Sequence, residues 1–96
     1  MTAVPDVTCT PDPTGGWRCT VMVRDREHEL SRHEVTVRRA DLDRLAPGDP
    51  EPVRLVSASF AFLLEREPPS SILRSFDLMV IGRYFPEYED VIRSSG

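Results

Sequence analysis

The chain has 96 residues, of which 40% are hydrophobic and 29% charged, and it carries a net charge of -4 with a pI near 5.1. That length suits one small domain with a single core, and that composition lies outside the range of disordered tails. The acidic balance argues against a general nucleic-acid binder, whose affinity comes from neutralising phosphates with a basic face.

The opening "MTAVPDVTCTPDPTGG" is too polar to read as a signal peptide. No apolar run approaches the ~20 residues a bilayer span requires. A soluble cytoplasmic protein is therefore expected, with Cys9 and Cys19 kept as thiols; a cross-strand disulfide between them would suit a secreted chain. Within the opening, "VPDVTCT" fits a strand that Pro5 confines to a sheet edge, and "PDPTGG" supplies the dihedrals of a turn.

"WRCTVMVRD" alternates Trp17, Cys19, Val21 and Val23 against Arg18, Thr20, Met22 and Arg24, the period-2 signature of a half-buried strand. "HEVTVRR" repeats the alternation with Val35 and Val37 inward. Setting Cys9 opposite Cys19 and Val7 opposite Val21, then Val23 opposite Val35 and Val21 opposite Val37, gathers one apolar face on a meander. In that register the charged "REHELSR" is a loop and both histidines meet solvent.

Helices follow. "ADLDRLAPGD" gives a short one ended by Pro47 and Gly48. Asp49 is then the expected N-cap, with Pro50 at the first helical position, of a helix that runs to Pro68. Val53, Val56, Phe60, Leu63 and Leu64 form its stripe, and Leu55, Ala58 and Phe62 widen it until little polar face is left. Such a helix must be covered on most sides, which makes it the expected core helix across the sheet. "PPSSILRSFD" offers a serine cap and one helical turn, and Asp77 caps "LMVIGRYF". Pro86 restarts the helix as "PEYEDVIR" with Glu87, Glu89 and Asp90 near its positive end. Residues 94–96 are expected to form a disordered tail.

No catalytic or cofactor constellation stands out. Nine residues intervene between the two cysteines where finger-type zinc sites have two to four, so Cys9, Cys19, His28 and His33 are not expected to hold a metal. Ser57, Ser59, Ser70 and Ser71 lack the flanking glycines of a nucleophile elbow. Acid pairs such as Asp41 and Asp43, or Glu65 and Glu67, read as solvated surface, and no glycine-rich phosphate loop is present. Arg18, Arg24, Arg26, Arg32, Arg38 and Arg39 run along the hairpin with Trp17 as a possible stacking residue, but Asp25, Glu27, Glu29 and Glu34 interleave with them, so a salt-bridged face is the favoured reading.

In the segment "FDLMVIGRYFPEYED", Tyr84, Phe85 and Tyr88 are three of the chain's seven aromatics and stand among acids. Tyr84, Phe85, Glu87, Tyr88 and Glu89 are accordingly the candidate partner-binding residues, as aromatic anchors with an acidic rim; the competing reading places the rings in the core. From about Trp17 to Ile92, and above all in "SFAFLLEREPPSSILRSFDLMVIGRYFPEYED", the chain resembles a group of short bacterial hypothetical proteins. The resemblance implies one compact soluble domain and brings no activity, cofactor or catalytic residue with it.

Together these readings predict an α+β domain, residues 1–96, with a small antiparallel sheet of two or three strands covered on one face by a C-terminal helical half. The expected role is that of a non-enzymatic protein-interaction or regulatory module, binding a protein partner or a second copy of itself, with no cofactor and no membrane. The alternatives are an antitoxin-like regulator that touches nucleic acid through the arginine hairpin, and a small enzyme whose site is shared between subunits.

Overall fold

The computed structural model describes residues 3–95. Strand β1 (Val4–Pro11) leads through the proline–glycine turn into β2 (Trp17–Asp25), which pairs with β3 (His28–Val37). The chain then forms helices α1 (Arg39–Leu45) and α2 (Val53–Leu64), a 3₁₀ turn at Pro69–Ser71, and a short strand β4 (Ser75–Asp77). A second 3₁₀ turn, Leu78–Val80, leads into α3 (Ile81–Tyr84), and α4 (Tyr88–Ser95) ends the described chain. Ser94 and Ser95 continue α4 where a disordered tail was expected, and Gly96 lies outside the described residues.

The sheet has four strands in the order β1-β2-β3-β4, with β1, β2 and β3 antiparallel and β4 parallel to β3. This corrects the expected all-antiparallel sheet of two or three strands. Segment 75–77 is too short to show a period, and what pins it is polar: the Glu34 N–H donates to the Arg74 carbonyl at 2.7 Å, and the Thr36 hydroxyl donates to the Asp77 carboxylate at 2.9 Å.

The β1–β2 register is the expected one, Cys9 opposite Cys19 and Val7 opposite Val21, with proline-bearing β1 on the edge. Cys9 and Cys19 are joined as a disulfide across the pair, with Cα atoms 4.0 Å apart, and are not the expected free thiols. The β2–β3 register is corrected as well. Val35 lies opposite Cys19 and Val37 opposite Trp17, while Val21 faces His33 and Val23 faces Ser31. The reason is a tight hairpin: only Arg26 and Glu27 separate β2 from β3, Arg26 with φ of 57°, and a bulge near Val23 and Arg24 absorbs the odd residue. His33 therefore enters the core instead of meeting solvent, while His28 is exposed.

Gly16 closes the first turn at φ of +77°, where a Cβ would sit 2.4 Å from the Val37 carbonyl oxygen. Only glycine allows that approach between the turn and the end of β3.

The inner sheet face, Trp17, Cys19, Val21, Val23, Val35 and Val37, packs into one cluster with Leu42 and Leu45 of α1 and with Leu55, Val56, Phe60, Phe62 and Leu63 of α2. α2 is the core helix that its wide apolar surface required, but it begins at Val53 after Pro52, so Asp49 and Pro50 lie in the preceding turn and do not cap it. Likewise the "PPSS" segment starts its 3₁₀ turn from Pro68 without a serine side-chain cap. Asp77 does cap the next turn, accepting from the Met79 N–H at 3.1 Å.

Candidate functional site

The fold divides the aromatic stretch in two. Pro86 ends α3, so the residues before and after it follow unrelated helical phases. Tyr88, the first residue of α4, points into the core and is 0% exposed. The Ser59 hydroxyl lies 2.7 Å from the Leu55 carbonyl and 2.7 Å from the Tyr88 hydroxyl. A carbonyl only accepts, so the single Ser59 proton goes to Leu55 and the Tyr88 O–H donates to Ser59. Burial pushes the Tyr88 phenol up to about 12. Its ring meets Phe62 edge-on at 5.4 Å, and Phe85 meets Phe62 at 5.7 Å. Tyr88 thus fastens α4 to α2 and is closed to a partner.

Tyr84 is placed the opposite way, 67% exposed, and Phe85 is half-buried. The acids nominated beside them are engaged within the chain. Glu87 pairs with Arg66 at 3.4 Å, and the Arg66 guanidinium also lies 3.6 Å above the Phe62 ring. Glu89 of α4 bonds to Arg44 of α1, which reaches Asp41 at 3.5 Å as well.

Tyr84 and Leu73, the latter 48% exposed, form the lips of an apolar groove with Leu63, Ile72, Phe76 and Ile81 beneath them. Its volume is about 170 Å³, below the ~300–1,000 Å³ of small-molecule sites. It suits one anchoring side chain. Glu67 also lines it and has no ion pair among the described residues.

A second cleft, about 390 Å³, opens between β3 and the 69–74 segment and is lined by Glu29, Ser31, Arg32, His33, Ser70 and Arg74 among others. His33 is 2% exposed, with Nδ1 2.6 Å from the Leu73 carbonyl oxygen and Nε2 2.7 Å from Ser31 Oγ. The carbonyl fixes the proton on Nδ1, so Nε2 accepts from the Ser31 hydroxyl. The Phe60 ring packs on the imidazole at 5.3 Å. Sequence reasoning missed this pair because it placed Ser31 in a loop and His33 at solvent; the available signal was the Ser-x-His spacing, which puts both side chains on one strand face.

Three of the hairpin arginines are matched by acids on the outer face. Arg18 lies 3.7 Å from Asp12, Arg24 3.6 Å from Asp6, and Arg32 2.9 Å from Glu29. Trp17 is buried, with the Arg39 guanidinium 4.9 Å from its ring centre, and offers no open face for a base. Among the described residues no group of three or more His, Cys, Asp or Glu side chains is placed to hold a metal, and no helix is long and apolar enough to cross a membrane. Comparison with protein-family models, with curated proteins and with solved structures found no match.

Proposed function

We propose that the protein is a protein-interaction or regulatory module whose contact surface is the groove beneath Leu73 and Tyr84. The observation that carries this reading is the pairing of two exposed apolar lips over a floor that the core already fixes in place. An anchor side chain entering there would cover both lips without moving an element, and such pre-formed pockets concentrate binding energy. The partner that fits presents an aliphatic or aromatic anchor flanked by a basic residue, which would meet Glu67.

Of the residues nominated from the sequence, Tyr84 and Phe85 line this groove, whereas Glu87, Tyr88 and Glu89 are engaged elsewhere in the chain, with Arg66, Ser59 and Arg44. The nucleic-acid alternative draws little support from Arg18, Arg24 and Arg32, whose charges are matched by nearby acids.

The test is co-purification with the native chain and with a Leu73→Glu, Tyr84→Glu variant, alongside sedimentation of each to detect self-association. Both substituted side chains are exposed, so circular dichroism should show the native fold. A partner, or a dimer, held by the native chain and lost by the variant supports the reading. Equal retention by both chains would sink it, as would a native chain that stays monomeric and captures nothing.

A further inference from the structure

We infer that Ser31 and His33 form a nucleophile–base pair able to take an acyl group from a small activated ester that carries an anionic substituent. This departs from the expectation of a chain without a catalytic residue, and it is independent of the groove reading: the cleft and the groove share only Ile72 among their lining residues.

A serine hydroxyl becomes a useful nucleophile when a base removes its proton as the new bond forms and a third group holds that base in the right tautomer. Each part is present. Ser31 Oγ stands 2.7 Å from His33 Nε2, and the Leu73 carbonyl accepts from Nδ1 at 2.6 Å. Neighbours on every side fix the ring: it is 2% exposed, packed on Phe60, and set opposite Val21 in the sheet. Ser31 is only half-buried and lines the cleft, so substrate can reach the hydroxyl while the imidazole stays shielded.

The third group is a neutral carbonyl and not a carboxylate. It orients the ring as well but stabilises the imidazolium less. The chemistry therefore suits esters with good leaving groups.

The cleft also selects by charge. Arg32 is paired with Glu29 at 2.9 Å, whereas Arg74, exposed on the same cleft, has no ion pair among the described residues. An anionic substituent on the acyl chain supplies the missing partner. In the reaction the Ser31 Oγ–carbonyl carbon bond forms as Nε2 takes the Ser31 proton. The tetrahedral adduct then expels the leaving alcohol, which receives that proton from Nε2. Water adds to the acyl-serine by the same route, releasing the carboxylic acid and restoring Ser31.

The experiment treats the full chain with a fluorophosphonate probe and locates the adduct by intact mass and peptide mapping. One adduct is expected, on Ser31, absent from Ser31→Ala and formed about 100-fold more slowly in His33→Gln. No adduct on Ser31, or Ser31 labelled no faster than the exposed Ser71 and Ser94, overturns the proposal; so does a folded His33→Gln variant labelled at the native rate. Should His33→Gln fail to fold, the comparison of Ser31 with Ser71 and Ser94 in the native chain decides alone. For the charge preference, p-nitrophenol release from mono-p-nitrophenyl succinate is compared with release from p-nitrophenyl acetate. Arg74→Ala should lower the ratio of the two rates about tenfold, and an unchanged ratio removes Arg74 from the site.

Discussion

Replacing Tyr88 by phenylalanine should turn a loss of stability into a gain as the pH rises. In the native chain the Tyr88 hydroxyl donates to Ser59, and the variant forfeits that bond. Ser59 keeps its own proton on the Leu55 carbonyl, so no donor is orphaned. The cost near pH 9 is then the ordinary ~1 kcal/mol of one buried hydrogen bond.

Alkali reverses the balance. The phenol ionises near its ordinary 10.0 in the unfolded chain but is pushed up to about 12 by burial in the folded one. Above pH 10 the folded state therefore binds more protons than the unfolded state, and stability must fall with pH. The contribution is fully present below pH 10 and is lost towards pH 12, about 1.4 kcal/mol by pH 11 and about 2 kcal/mol by pH 12. The variant has no such group, so the two stability curves should cross at about pH 10.7, where the loss reaches ~1 kcal/mol. Tyr84 is present in both chains and drops out of the difference. Urea unfolding followed by Trp17 fluorescence at pH 9, 10, 11 and 12 reads the crossing directly. A difference that stays constant over that range would refute the burial of Tyr88 against α2, and with it the division of the aromatic stretch.

Reducing the Cys9–Cys19 disulfide removes a constraint on a loop of sequence separation 10. Loop-closure entropy puts the loss at about 2.7 kcal/mol, and urea midpoints with and without a phosphine reductant check it; equal midpoints would mean that the pair adds nothing to the β1–β2 register. Gly16→Ala should cost more than Gly15→Ala. Both have positive φ, +77° and +100°, but only the Cβ at 16 meets a backbone atom, 2.4 Å away, whereas nothing lies within 4 Å of the Cβ at 15. Thermal unfolding of the two variants ranks them, and the opposite order would exclude the close approach to Val37. Arg26 holds a φ of 57° in the β2–β3 turn, so Arg26→Gly should stabilise by about 0.5–1 kcal/mol once the extra freedom of glycine in the unfolded chain is deducted. Chemical denaturation measures it, and a destabilised variant would place the strain elsewhere.

What the sequence makes legible follows the burial gradient along the sheet. Near Cys9, Cys19 and Val35 one face is dry and the other wet, so alternation reports which side chains turn inward, and between β1 and β2 the register as well. At the far end of the hairpin, His28, Glu29 and Leu30 are exposed on a stretch that outruns the core. Both faces there meet water, period-2 patterning carries no information, and the charged run looks like a loop. Misplacing that loop shifts β3 against β2 and moves His33 to the wrong partner. β4 is hidden for another reason: three residues cannot display a period, and its pairing depends on bonds from Glu34 and Thr36, some forty residues earlier in the chain.

The candidate sites inherit both difficulties. Tyr84 and Tyr88 are four residues apart, which in one unbroken helix would put them on the same face; Pro86 breaks the phase and sends one to solvent and the other to Ser59. Ser31 and His33 come together once residues 28–37 form a strand and not a loop, and the Leu73 carbonyl then meets His33 Nδ1. Leu73 then connects the two concavities through different atoms, its side chain on the groove and its carbonyl on His33 Nδ1. Leu73→Glu alters the first and leaves the second in place. The variant should therefore abolish partner binding while keeping fluorophosphonate labelling of Ser31 at the native rate, and a loss of both together would show that the groove and the cleft act as one site.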